Sequence, residues 1–112
     1  MVIRNEKFDS YHLKYFSNLD DTPCCAHIGF YDEQKFVASI FFHKDGIELP
    51  SNVYISSDKS IRLHYPISRF NDIITILRIE KQLAISIDTK TENGYIGTYG
   101  KPVDKKELKT GI

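Results

Sequence analysis

Very little in this 112-residue chain marks it for export, for a membrane or for redox work. Its two cysteines, Cys24 and Cys25, are adjacent, and neighbours in sequence are a poor arrangement for stapling distant parts of a fold. That usage fits a reducing compartment, so a cytoplasmic location is expected. The N-terminal stretch Met1-Val2-Ile3-Arg4-Asn5-Glu6-Lys7 lacks the apolar segment of a secretory signal. No apolar run approaches the roughly 20 residues that span a bilayer; the longest, Phe36 to Phe42, has Ser39 inside it. No membrane partner is expected. Charge of neither sign prevails: Lys plus Arg and Asp plus Glu each number 15, which leaves no global field drawing the chain onto nucleic acid. A local basic patch stays open. Repeats, low-complexity tracts and Pro/Gly/Ser linkers are also missing, so one domain over residues 1–103 is expected, followed by a charged, flexible tail over 104–112.

What is present is apolar and aromatic. Hydrophobic residues make up 41% of the chain, with seven Phe and seven Tyr, enough large side chains for one core. Their spacing predicts mostly strands. Residues 8–19 mix two-residue and three-to-four-residue spacing and do not decide between strand and helix. Asp20-Asp21-Thr22-Pro23 has the chemistry of a loop. Ala26 to Tyr31 and Lys35 to His43, split by Asp32-Glu33-Gln34, read as a hairpin. Lys44-Asp45-Gly46 predicts a second hairpin turn before Ile47-Glu48-Leu49, and Val53 to Ser56 with Ile61 to Tyr65 flank another turn at Ser57-Asp58-Lys59-Ser60. Within the latter run Ile61, Leu63 and Tyr65 fall on one side, Arg62 and His64 on the other.

At Ser68 the period changes. Phe70, Ile73, Ile74 and Leu77 form a helical stripe over about Arg69 to Ile79, with Ser68 as the expected N-cap and Asp72 in the first turn. Leu83, Ile85 and Ile87 then alternate, and Tyr95 to Tyr99 predicts the partner strand of a last hairpin. Six to seven strands with one helix between the fourth and fifth predict an α+β fold. Its expected form is a single antiparallel, curved sheet or partly open barrel, with strands pairing in order.

Chemistry is harder to find. His12, His27, His43 and His64 have no H-x-E, H-x-H or C-x-x-C spacing around them, so neither a metal nor any other cofactor is expected. Cys24 and Cys25 near His27 lack the two-residue gap of thioredoxin-like motifs and read better as packing residues. Arg62, His64 and Arg69 flank the strand-to-helix junction, where free N–H groups favour an anion, but no Gly-rich cradle precedes the helix. Tyr54, Phe41, Phe42, Tyr95 and Tyr99 suggest a base-stacking sheet, although Tyr95 to Tyr99 contains no Lys or Arg.

The stretch Ile61-Arg62-Leu63-His64-Tyr65-Pro66-Ile67-Ser68-Arg69-Phe70, continuing through Leu77-Arg78-Ile79-Glu80-Lys81 to Gly97-Thr98 and Pro102-Val103, resembles a segment shared by short uncharacterised bacterial proteins. The resemblance implies a strand leading into a helix that closes on Leu-Arg-x-Glu-Lys, with Arg78, Glu80 and Lys81 clustered at its exit. It implies no activity.

The leading expectation is a non-enzymatic module that binds a protein partner, or itself as a homo-oligomer, through an exposed sheet edge or an aromatic face. A nucleic-acid-binding surface made of Tyr54, Arg62, His64 and Arg69 is the less favoured alternative. A third is a small-ligand or hydrolytic pocket with His43 and His64 as its titratable groups.

Overall fold

A computed structural model describes residues 2–17 and 24–100; the loop expected at Asp20-Asp21-Thr22-Pro23 and the expected tail lie outside them. The α+β class stands, but the architecture is not one sheet. Among the described residues eight strands form two sheets: β1 (Ile3–Lys7), β2 (Ser10–Tyr15), β3 (Cys24–Asp32), β4 (Lys35–His43), β5 (Val53–Ile55), β6 (Ser60–Pro66), β7 (Leu83–Asp88) and β8 (Gly94–Thr98). Sheet A has the order β1-β7-β8 and is antiparallel; sheet B has the order β2-β3-β4-β6-β5 and is mixed. Neither closes into a barrel. A 3-10 turn (Ile67–Arg69) leads into the helix α1 (Phe70–Ile79), which falls between the sixth and seventh strands rather than the fourth and fifth.

The β3–β4 hairpin forms where the sequence predicts it. Glu33 and Gln34 take positive φ (50° and 71°) between the paired Asp32 and Lys35, the geometry that matches a two-residue turn to strand twist. The next expected hairpin does not form. Gly46 does turn the chain with φ of 87°, but Ile47-Glu48-Leu49 stays outside both sheets. Residues 44–59, with β5 inside them, instead carry the chain back so that β6 pairs with β4 in parallel, Ala38 opposite Ile61 and Ile40 opposite Leu63. A parallel neighbour needs such a long connection. The gain is burial: all four of these side chains lie in the core, no more than 1% exposed.

The helix matches its stripe, with Ile73 and Leu77 buried and Phe70 and Ile74 packed beside them. Its start differs from expectation. Arg69 occupies the N-cap position and no side chain caps it; Ser68 contributes only its backbone N–H, which donates to Asp45 Oδ1 at 3.2 Å. Asp72 in the first turn and Arg78 in the last complement the macrodipole as predicted.

The strand β1 is the element the periodicity does not reveal. Ile3-Arg4-Asn5-Glu6-Lys7 holds one large apolar residue and no alternation, and it becomes a strand because β7 offers it a ladder from Ile3–Asp88 to Lys7–Ala84. Core side chains of β3, β4, β6, α1 and β7 form one cluster, so the two sheets and the helix share a single interior. The other face of sheet B carries no strand or helix among the described residues, and the candidate site lies there.

Candidate functional site

Strand register brings one set of side chains into line across sheet B. Because Cα partners point the same way, the pairs Lys14–His27, His27–Phe41 and Phe41–His64 make one continuous row over four strands. A second row beside it reads His12, Gly29, Ser39, Arg62. All four histidines therefore share the face away from the core, with His43 next along β4 from Phe41. At inter-strand spacings of about 4.8 Å, the first row is roughly 14 Å long.

The rings in this row touch. His27 and Phe41 have centroids 4.7 Å apart, and Phe41 and His64 are stacked at 5.5 Å with planes 20° apart. The Arg62 guanidinium lies 5.4 Å from the Phe41 ring centroid, within cation–π range. Further along the face, the Tyr31 ring lies over Gly29 and meets His12 at 4.9 Å and Phe36 at 5.8 Å. Phe41, His27 and His64 are half-buried, whereas Arg62 and Lys14 are exposed.

Burial, and nearby positive charge after it, sets the titration of these rings. Burial, then the charges of Lys14 and Arg62, lower the pKa of His27. Burial, followed by His43 and Arg62, pulls the His64 imidazole down to about 4. Burial alone lowers His43. These imidazoles are neutral near pH 7, and Lys14 and Arg62 carry the fixed charge of the face.

His43 and His64 are hydrogen-bonded to each other, Nε2 to Nδ1, at 2.8 Å; one donates and the other accepts, so the bond does not survive protonation of both rings. His64 is held from behind as well, its backbone N–H donating to Asn52 Oδ1 at 2.8 Å. His43 Nδ1 is buried with no hydrogen-bond partner among the described residues. The pair uses one ring nitrogen of each histidine on the other, and His64 Nε2 and His43 Nδ1 lie outside that bond. Among the described residues no group of three His, Cys, Asp or Glu side chains is placed to hold a metal.

A pH effect on stability follows. The folded-state values of His64, His43 and His27 lie below the ordinary value of about 6.5, so the unfolded chain binds protons more readily than the native one. Their contribution is complete above about pH 6.5 and is lost as the pH falls toward the value near 4 of His64. Urea midpoints of the wild type are expected to drop over that window, and His64→Gln is expected to flatten the slope. An equally steep slope in His64→Gln assigns the effect to other groups.

The structure divides the four residues expected to form a site. Arg62 and His64 lie together on the open face. Tyr54 does not join them: its register partner is Ile61, so it points to the core side, where Arg4 of β1 lies 4.7 Å from its ring centroid. Arg69 is likewise elsewhere, paired with Asp72 at 3.5 Å and close enough to Tyr65, on the core side, to offset part of the rise that burial gives that phenol. In their place stand Lys14, His27 and Phe41. A β-bulge hides the place of Phe41 from a count along the sequence: pairs from Asp32–Lys35 to Tyr31–Phe36 shift by one residue at Phe30–Ala38.

No family model, no curated protein and no solved structure matches this chain. Function has to be argued from the surfaces themselves.

Proposed function

We propose that this protein is a non-enzymatic interaction module whose working element is the outer edge of β2, which no strand pairs among the described residues, and that the partner at this edge is a second copy of the chain. The observation that carries the reading is the self-complementary pattern of the edge. Phe16 N–H donates to the Cys25 carbonyl at 2.9 Å, in step with the β2–β3 register, so Ser10, His12 and Lys14 aim their backbone groups at β3. Tyr11, Leu13 and Tyr15 aim theirs outward.

Two of the three other edges, β5 and β1, are blunted; the third, β8, is five residues long and holds Gly94 and Gly97, which weaken a strand. The strand β5 has three residues, and β1 carries Arg4, Glu6 and Lys7. Six-residue β2 has one charged side chain, Lys14, and no proline, and Tyr11, Leu13 and Tyr15 are 37%, 43% and 64% exposed. The run Tyr11-x-Leu13-x-Tyr15 reads the same in both directions. A two-fold antiparallel pairing centred on Leu13 sets Leu13 against its copy and Tyr11 against Tyr15 of the other chain. The outward backbone groups meet in the same register, and the isologous contact closes as a dimer.

Sedimentation equilibrium of the wild type is expected to show a monomer–dimer equilibrium. Leu13→Pro is expected to weaken it at least about tenfold while leaving the fold intact, because the lost N–H faces away from β3. Register is read from charge variants. Tyr11→Lys with Tyr15→Glu places opposite charges together and should still dimerise, whereas Tyr11→Lys with Tyr15→Lys should not. A wild type that stays monomeric at all concentrations overturns the reading, as does a Leu13→Pro protein that dimerises normally.

A further inference from the structure

We infer that the open face of sheet B binds single-stranded nucleic acid, with Phe41 as the base-stacking platform and Lys14 and Arg62 as the phosphate contacts. The inference does not rest on β2 pairing: Phe41 and Arg62 belong to β4 and β6, and Lys14, although on β2, stands in the row across the open face opposite His27.

Three observations carry it. A solvated sheet face ordinarily alternates to polar side chains, yet here half-buried Tyr31, Phe36 and Phe41 occupy outward positions on the two central strands β3 and β4. Core packing does not account for them, because the core cluster lies on the opposite face. The charge is also one-sided: both rows running from β2 to β6 contain Lys14 and Arg62 and no carboxylate. Two of the 15 Lys and Arg stand beside rings in these rows with no carboxylate among them, which complements a polyanion that also presents π-faces. Geometry supplies the third. Cation and ring are adjacent at Arg62 and Phe41, and His27 and His64 flank the same ring. A base entering beside this row meets half-buried rings inclined 20–38° to one another, with Lys14 of β2 on one side for its phosphates and Arg62 of β6 on the other.

The histidines suit this role better than a catalytic one. Neutral at pH 7, they extend the stacking surface without adding repulsion between Lys14 and Arg62. Duplex fits poorly, because its bases are stacked on one another and show no free faces to the sheet.

Fluorescence anisotropy with labelled oligo(dT) and oligo(rU) at low salt tests the inference, with a duplex of equal length and inorganic polyphosphate as competitors. Binding is expected to the single strands, competed poorly by the duplex. Arg62→Gln, an exposed substitution with little consequence for folding, should weaken it and make the salt dependence shallower by roughly 0.7 in log–log slope, the share of a single phosphate neutralised. Phe41→Ala should weaken it between about fivefold and 150-fold, and Phe41→Tyr should retain it. Circular dichroism of each variant separates a binding defect from a folding defect. No binding at low salt overturns the inference. So does binding that polyphosphate competes fully and that Arg62→Gln and Phe41→Ala leave unchanged, since that is charge attraction without a site. Leu13→Pro is expected to keep the single-strand affinity of one protomer, which separates failure here from failure of the dimer.

Discussion

Phe42→Ala is expected to remove about 3–5 kcal/mol of stability, a large part of the total of about 5–15 kcal/mol for a domain of this size. Phe42 is fully buried on β4 and joins three elements. Its ring stacks on Tyr65 of β6 with centroids 6.1 Å apart and meets Phe70 of α1 edge-on at 5.1 Å. Phe70 in turn meets Tyr15 of β2 edge-on at 5.1 Å, so a line of rings couples the edge of sheet B to the helix. Truncation leaves a cavity where these rings converge, with neighbours fixed by the backbones of two central strands. Phe42→Leu, which keeps most of the volume, should cost under about 1.5 kcal/mol. Urea denaturation followed by far-UV circular dichroism reads both. A loss below about 1 kcal/mol for the alanine variant would mean that α1 closes onto the sheet without this ring.

The second large effect is at Gly94, where β8 of sheet A meets the Leu63 side chain of sheet B. A Cβ on this residue, the first of β8, would overlap Leu63 Cδ2 and sit 3.2 Å from Cδ1 and 3.3 Å from Cγ. Leu63 is 1% exposed on the core side of β6, so its side chain has no solvent to swing into. Space, not backbone freedom, requires glycine here. Gly94→Ala is expected to cost about 1–3 kcal/mol net, although alanine also restricts the unfolded chain, a gain of roughly 0.4–1 kcal/mol. Leu63→Ala alone should cost about 2–5 kcal/mol through the opposite fault, a cavity. Combined, the two should cost less than their sum by about 1 kcal/mol or more, because the new methyl fills part of the space vacated. Strict additivity in that cycle contradicts the close approach of Gly94 to Leu63.

Local chemistry made much of this fold legible. The β3–β4, β5–β6 and β7–β8 pairings follow from turn residues between alternating or β-branched runs, and α1 follows from its stripe of Phe70, Ile73, Ile74 and Leu77. Illegible were the features set by partners distant in sequence. The strand β1 has no pattern of its own and exists because β7 needs a neighbour. Parallel pairing of β4 with β6 is decided by burial of Ile61 and Leu63, whereas the Asp45-Gly46 turn argues locally for a hairpin. At the candidate site, alternation alone placed Arg62 and His64 on one side of β6. It could not place Tyr54, whose side depends on its register opposite Ile61, nor bring in Phe41, which the bulge in the β3–β4 ladder moves opposite His27. Faces are local information; rows across a sheet are not.

Sheet A has a consequence for the order in which the molecule comes into being. Its first strand is synthesised before every other described element and pairs with Leu83–Asp88, so its ladder closes a loop that contains all of sheet B. Sheet B is complete in sequence by Pro66 and can assemble on the ribosome while Ile3–Lys7 still waits with no strand beside it. In that order of events, docking of β7 and β8 closes the interior. That late, non-local step should set the folding rate, as it does where contact order is high.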